Sequence, residues 1–117
     1  MILENRGYSL DTFSNPAAAL LKFKPNYYDL LVLDYRMPKL NGLELYAQIT
    51  EIDPTAKVLL LAANHEQFTE GKQLEGQHNL KVITKPISNE KLLSEVTAYC
   101  HITYCRCLTT VSNSRQA

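Results

Sequence analysis

The sequence predicts an α/β fold built on a parallel sheet. Short apolar runs alternate with helical stretches in the order β-α-β-α-β-α-β-α. Two of the runs, Tyr28 to Asp34 (YDLLVLD) and Lys57 to Ala63 (KVLLLAA), are almost unbroken in apolar residues, the pattern of strands covered on both faces. Strands and helices alternating at these lengths imply right-handed crossovers between parallel neighbours.

Each element has its own signal. Tyr8 to Phe13 alternates as a strand does. Asn15 caps a helix with Pro16 at its first position and Ala17 to Phe23 continuing it, until Pro25 and Asn26 end it. After Asp34 comes a loop, Tyr35 to Asn41, then a helix from about Gly42 to Glu51. Leu45, Ile49 and Ile52 fall on one face of that helix, and Asp53 and Pro54 stop it. Asn64 with Gln67 forms a capping box for a third helix. That helix is poor: between Asn64 and Asn79 the apolar residues are chiefly Phe68 and Leu74, and Gly71 and Gly76 weaken it. Leu80 to Thr84 is a short strand. Ser88 caps a last helix, in which Leu92, Val96 and Tyr99 recur at helical spacing. From Cys100 onward no periodicity persists. The expected division is one domain over residues 1–100 and an irregular C-terminal tail over 101–117.

Size and composition agree with one domain. A chain of 117 residues buries roughly 65% of its unfolded surface, enough for a core. Lys plus Arg and Asp plus Glu are both 12, and this balance argues against a dedicated nucleic-acid domain, whose affinity comes from excess basic charge. No apolar run approaches 18 residues, so no membrane span is expected, and the opening residues lead to no expectation of a signal peptide. Cys100, Cys105 and Cys107 are too few and too close together for a secreted disulfide scaffold, which makes the cytoplasm the expected compartment.

In open parallel sheets the ligand site lies beyond the carboxyl ends of the strands. That rule gathers Asp34, Ala62, Ala63 and Lys85 at one edge from distant parts of the chain. A carboxylate nucleophile beside an ammonium is one arrangement for accepting a phosphoryl group. The bland reading is that an Asp at a strand end and a Lys before a Pro are both common. Other candidates are weaker. Cys100, His101, Cys105 and Cys107 include soft ligands for zinc, but their spacing lacks C-x2-C pairs, so they read as buried or incidental thiols. His65 and His78 lie in a polar stretch and have no partner in a nucleophile motif. Asn41-Gly42 is a turn, and no glycine-rich phosphate loop exists. The seven tyrosines are scattered, with no stacking platform for bases.

The segment YDLLVLDYRMPKLNGLEL closely resembles the third strand and following loop of response-regulator receiver domains. Met37, Pro38 and Gly42 stand where that family has its Met-Pro and turn glycine, and Lys85-Pro86 matches its lysine and the proline that usually follows a cis bond. The upstream GYSLDTFSNPAAALL resembles the family's second strand and helix. The resemblance implies a flavodoxin-like, doubly wound (βα)5 sheet of order 2-1-3-4-5. It also implies a non-enzymatic signalling role in two-component phosphorelays. Asp34 would accept a phosphoryl group from a histidine kinase or phosphotransfer protein, and Lys85 would contact the phosphoryl oxygens. Mg²⁺ would be held by Asp34, the backbone carbonyl of Arg36 and an acidic pair after the first strand. Output would pass through a protein partner, with no direct nucleic-acid or membrane contact.

Four departures qualify what the resemblance implies. Met1 to Gly7 resembles only the end of the family's first helix, so the first strand and the acidic pair are absent, and Glu4 lies too far along to replace them. Mg²⁺ demands octahedral oxygen ligands, and one carboxylate in place of three is expected to lower its affinity sharply. Without the first strand, the strand around Leu10 is expected either to pair directly with Tyr28 to Asp34 or to leave a gap for a second chain, as in a homodimer. Ala62 stands where the family has a phosphoryl-binding Thr or Ser, and Val82 where it has a switching Tyr or Phe. The polar segment Glu66 to Asn79 falls on the face that receivers use for output. A degenerate receiver that binds a partner without phosphorylation, or a truncated gene product, is the competing reading.

Overall fold

The computed structural model describes residues 9–37, 39–75, 79–99 and 106–110. Five strands and four helices follow one another in these residues: β1 (Ser9–Phe13), α1 (Pro16–Lys22), β2 (Leu30–Asp34), α2 (Gly42–Ile52), β3 (Lys57–Ala62), α3 (His65–Leu74), β4 (Asn79–Thr84), α4 (Asn89–Tyr99) and β5 (Arg106–Thr110). All pairings are parallel, and the sheet order is β1-β5-β2-β3-β4. This is the α/β parallel sheet that the sequence predicts, consistent with a flavodoxin-like receiver fold.

β5 is the departure. The sequence reading leaves residues 101–117 irregular, yet Arg106–Thr110 is a strand at the middle of the sheet. It lies between β1 and β2, with Leu10 opposite Cys107 on one side and Leu31 opposite Leu108 on the other. Neither expected solution to the gap occurs, since β1 does not pair with β2 and the chain fills the slot itself. The physical reason is that unpaired edges in the middle of a sheet are costly, and a segment with Cys, Leu and two β-branched Thr suits a buried strand. Read in sheet positions, the order is the family's 2-1-3-4-5 with the C-terminal strand in the place of the first.

The two faces are covered unequally among the described helices. Leu31, Leu33, Val58, Leu60, Val82 and Leu108 point into the larger core, with Ala19 of α1, Leu45 and Ile49 of α2, and Phe68 and Leu74 of α3. Leu30, Val32, Leu59, Ile83 and Cys107 point the other way, against Leu92 and Val96 of α4. Every residue of β2 is buried, as its unbroken apolar run requires. Ile52, expected on the stripe of Leu45 and Ile49, is the last residue of α2 and 47% exposed, so the stripe runs out at the helix end.

The helix caps follow the sequence with two changes. Asn15 accepts from the amides of Ala17 and Ala18, and Ser88 from that of Lys91. At α3 only half the expected box forms: Asn64 accepts from Gln67 N, but the Gln67 side chain accepts from Ala63 N. The complete box is at α2, where Asn41 and Glu44 each accept from the other's amide. α3 is also a better helix than its composition suggests, because Gly71 is buried and lets it approach β4. A Cβ there would meet Val82 Cγ2 at 2.6 Å.

At the amino ends of the strands, Asp53 ties two loops together. One oxygen accepts from Asn26 N at 3.0 Å, and the other from Thr55 N and Oγ1 at 3.1 and 2.7 Å. The Thr55 hydroxyl and then the Asn26 amide hold its carboxyl below the ordinary value of 3.8. A carboxyl depressed on folding stabilises the fold above that value, and the contribution is lost as pH falls through and below it. Asp53→Ala is expected to cost about 2–3 kcal/mol at neutral pH, because the part-buried Asn26 and Thr55 donors lose a charged acceptor. Denaturant melts should show the gap between wild type and variant narrowing below about pH 4.

Candidate functional site

The carboxyl ends of β2, β3, β4 and β5 meet at one edge of the sheet. Asp34 is the last residue of β2 and is 6% exposed. Lys85 follows β4 directly, and its Nζ stands 2.9 Å from Asp34 Oδ1. Its backbone is fixed by Lys85 N donating to Ala62 O at 2.7 Å, across the ends of β4 and β3, and the Lys85–Pro86 bond is cis. Residues that the sequence places at one edge by topology are therefore in direct contact.

Three neighbours frame the aspartate. Asp34 N donates to Thr110 Oγ1 at 2.9 Å, so β5 contributes a hydroxyl to the site. Gly42, at the start of α2, packs against the end of β2 so closely that a Cβ would lie 2.5 Å from Asp34 O, and Gly42 N donates to Tyr35 O. Tyr35 is half-buried at the rim, and its hydroxyl donates to Glu70 of α3. That bond, with desolvation and the nearby Glu66 and Glu44 charges, pushes the phenol up to about 12. Met37 turns into the core, Pro38 lies outside the described residues, and Lys39 takes a positive φ of 70° in the loop.

Where the family carries a hydroxyl on β3, Ala62 is buried and has none to offer. Val82 is buried against α3, with its amide donating to Glu75 Oε2 at 2.7 Å. The receiver family is generally Mg²⁺-dependent, but the donors here do not fit that ion. Of the expected ligands, the Asp34 carboxylate and the exposed Arg36 segment are present, and one Asp34 oxygen is already taken by Lys85. The strand in the central slot ends in Thr109 and Thr110, and the stretch from Val111 to Ala117 contains no Asp or Glu. Among the described residues no three His, Cys, Asp or Glu side chains converge as a metal site. Two neutral hydroxyls do not supply the charge that carboxylates give a hard divalent cation.

The remaining sequence candidates fall away from this edge. His65 is exposed at the start of α3, and His78 lies outside the described residues. Cys107 is fully buried, and burial, then the Asp29 charge, pushes its thiol up to about 11, the opposite of a thiolate ligand. Cys100, His101 and Cys105 lie outside the described residues. Thr110 is the residue that sequence reasoning missed. The signal was the β-branched pair Thr109-Thr110 after Cys107-Leu108, a short strand pattern with no flanking punctuation. No described helix is long and apolar enough to cross a membrane.

Comparison with known proteins agrees with this geometry. The model of the response regulator receiver domain matches residues 1–97. The response regulator receiver protein CpdR of Brucella abortus (strain 2308) is 30% identical over 94 residues, covering 80% of this chain and 78% of that protein. The alkaline phosphatase synthesis transcriptional regulatory protein PhoP of Bacillus subtilis (strain 168) is 35% identical over 97 residues, 82% of this chain but 40% of its own length. The aerobic respiration control sensor protein ArcB of Escherichia coli (strain K12) is 30% identical over 99 residues, 84% of this chain and 13% of its own. β5 lies beyond the matched segment, so the strand in the central slot comes from outside the part that resembles the family. The match over most of its length, together with the sheet order and the Asp34–Lys85 pair, makes this chain a member of the response regulator receiver domain family.

Proposed function

We propose that Asp34 is a phosphoacceptor fed by a histidine kinase or phosphotransfer protein, and that Lys85 contacts the phosphoryl oxygens. The observation that carries this reading is the 2.9 Å ion pair at the carboxyl ends of β2 and β4. The Asp34 oxygen would attack phosphorus as the bond to the donor breaks, leaving an acyl phosphate on Asp34 and the electron pair on the departing group. Lys85 would then stand beside the transferred oxygens and offset their charge. The Arg36 carbonyl stands at the family's position for a metal ligand. The output would run through a protein partner, in the cytoplasm.

A second reading has its own support. Thr109 and Thr110 stand at the end of the central strand, and Ala62 at the hydroxyl position, so the site lacks groups that phosphorylation uses in the family. On that reading the chain is a binding module that works without phosphorylation.

Intact-mass analysis after incubation with acetyl phosphate and Mg²⁺ separates the two. A working acceptor gives a single phosphoryl adduct, with acetate released, that Asp34→Asn lacks. A folded wild type without an adduct leaves Asp34 as a relic and favours the binding module.

A further inference from the structure

The β2–β5 pairing ends at Val32 and Thr109, short of the aspartate. Asp34 is buried, so its amide needs an acceptor there. Thr110 is 3% exposed, and its hydroxyl provides the acceptor at 2.9 Å. On the other side of the pair, the Lys85 amide is taken by Ala62 O at 2.7 Å. Both backbones of the Asp34–Lys85 pair are thus fixed by a neighbouring strand. Asp has only two side-chain torsions, so a fixed backbone leaves its carboxylate a small set of staggered positions, and the one it takes here is the 2.9 Å ion pair with Lys85.

From this we infer that Thr110 is a positioning residue of the site: its hydroxyl holds the Asp34 amide and thereby sets the carboxylate against Lys85. The inference deepens the phosphoacceptor reading and rests on it for its chemical consequence. It gives β5 a second role beside closing the sheet, because the strand that fills the gap also carries the group that orients the aspartate.

Two substitutions separate positioning from packing. Thr110→Val keeps the branched shape and removes the oxygen. Thr110→Ser keeps the oxygen and removes a methyl. If the hydroxyl matters, Asp34 amide hydrogen exchange should quicken about tenfold relative to Leu33 in Thr110→Val, the factor of one net hydrogen bond. It should stay within about twofold of wild type in Thr110→Ser. Adduct formation with acetyl phosphate should slow in Thr110→Val and recover in Thr110→Ser. The reverse order, Val like wild type and Ser impaired, would mean that Thr110 only packs, and overturns the proposal. Where the wild type is labelled, a quickened exchange with unchanged labelling in Thr110→Val overturns it too, since the amide would be held without governing the carboxylate. If no protein is labelled but the exchange order holds, Thr110 positions Asp34 and the phosphoacceptor reading is what fails. Should Thr110→Val not fold, Thr110→Ser still decides, because exchange unlike wild type in that variant contradicts a hydroxyl role.

Discussion

Ending the chain at Cys105 is expected to abolish its cooperative unfolding transition. Among the described strands β1 pairs with β5 alone, so removing β5 strips β1 of every strand partner. β2 loses its ladder from Leu30 to Val32 on the same side. Leu108 and Cys107 are fully buried in the two opposite cores, and both cores open. Burying a leucine contributes about 1.5–3 kcal/mol, and each net ladder hydrogen bond about 0.5–1.5 kcal/mol. The total rivals the 5–15 kcal/mol that holds a typical domain together. Thermal melts followed by circular dichroism would show a broad, non-cooperative loss of signal. A sharp transition within about 1 kcal/mol of wild type would mean that β1 closes onto β2 without help, one of the two arrangements that the sequence alone suggests.

Gly42→Ala should be the most damaging single methyl addition near the site. The added Cβ would lie 2.5 Å from Asp34 O, 2.6 Å from Leu60 Cδ1 and 2.9 Å from Tyr35 Cα. Two of these three atoms are backbone and cannot swing away. Gly42 N also donates to Tyr35 O at 2.6 Å, so α2 cannot retreat without breaking that bond. Alanine gains about 0.5–1 kcal/mol as a helix former, against an overpacking cost of about 3 kcal/mol or more. The net loss of about 2–3 kcal/mol should lower Tm by about 10 °C. Because the clash falls on Asp34 itself, phosphoryl labelling should drop further than stability does. A variant as stable as wild type would show that α2 sits further from β2 than described.

Much of the fold is legible in the sequence because the information is local. The runs LLVLD and KVLLLA read as strands buried on both faces, and Asn15, Asn64 and Ser88 mark helix starts by their side chains, while the box at Asn41 reads from the sequence only as a turn. Asp34 and Lys85 are legible for a related reason, since Asp34 ends β2, Lys85 directly follows β4, and parallel topology gathers strand ends at one edge. β5 is not legible in this way. Its five residues are bounded by no turn signal, and its two threonines look polar until both flanking strands cover them. Nothing in RCLTT tells which gap the segment enters, because that depends on β1 and β2 having no other common partner among the described strands. The Thr110 contact is hidden with it. The strength of α3 is hidden on a different ground: Gly71 lowers helix propensity but permits the close approach to Val82, and packing outweighs propensity.

The decisive measurement is the pattern of backbone nuclear Overhauser contacts in the folded chain. β5 inserted in the central slot predicts cross-strand contacts of Cys107 and Leu108 to Leu10 and Asp11 on one side, and to Leu30 and Leu31 on the other. It predicts no direct contact between β1 and β2. Contacts from Leu10 straight to Leu31, with Arg106–Thr110 free of either strand, would contradict the strand replacement and remove Thr110 from the site.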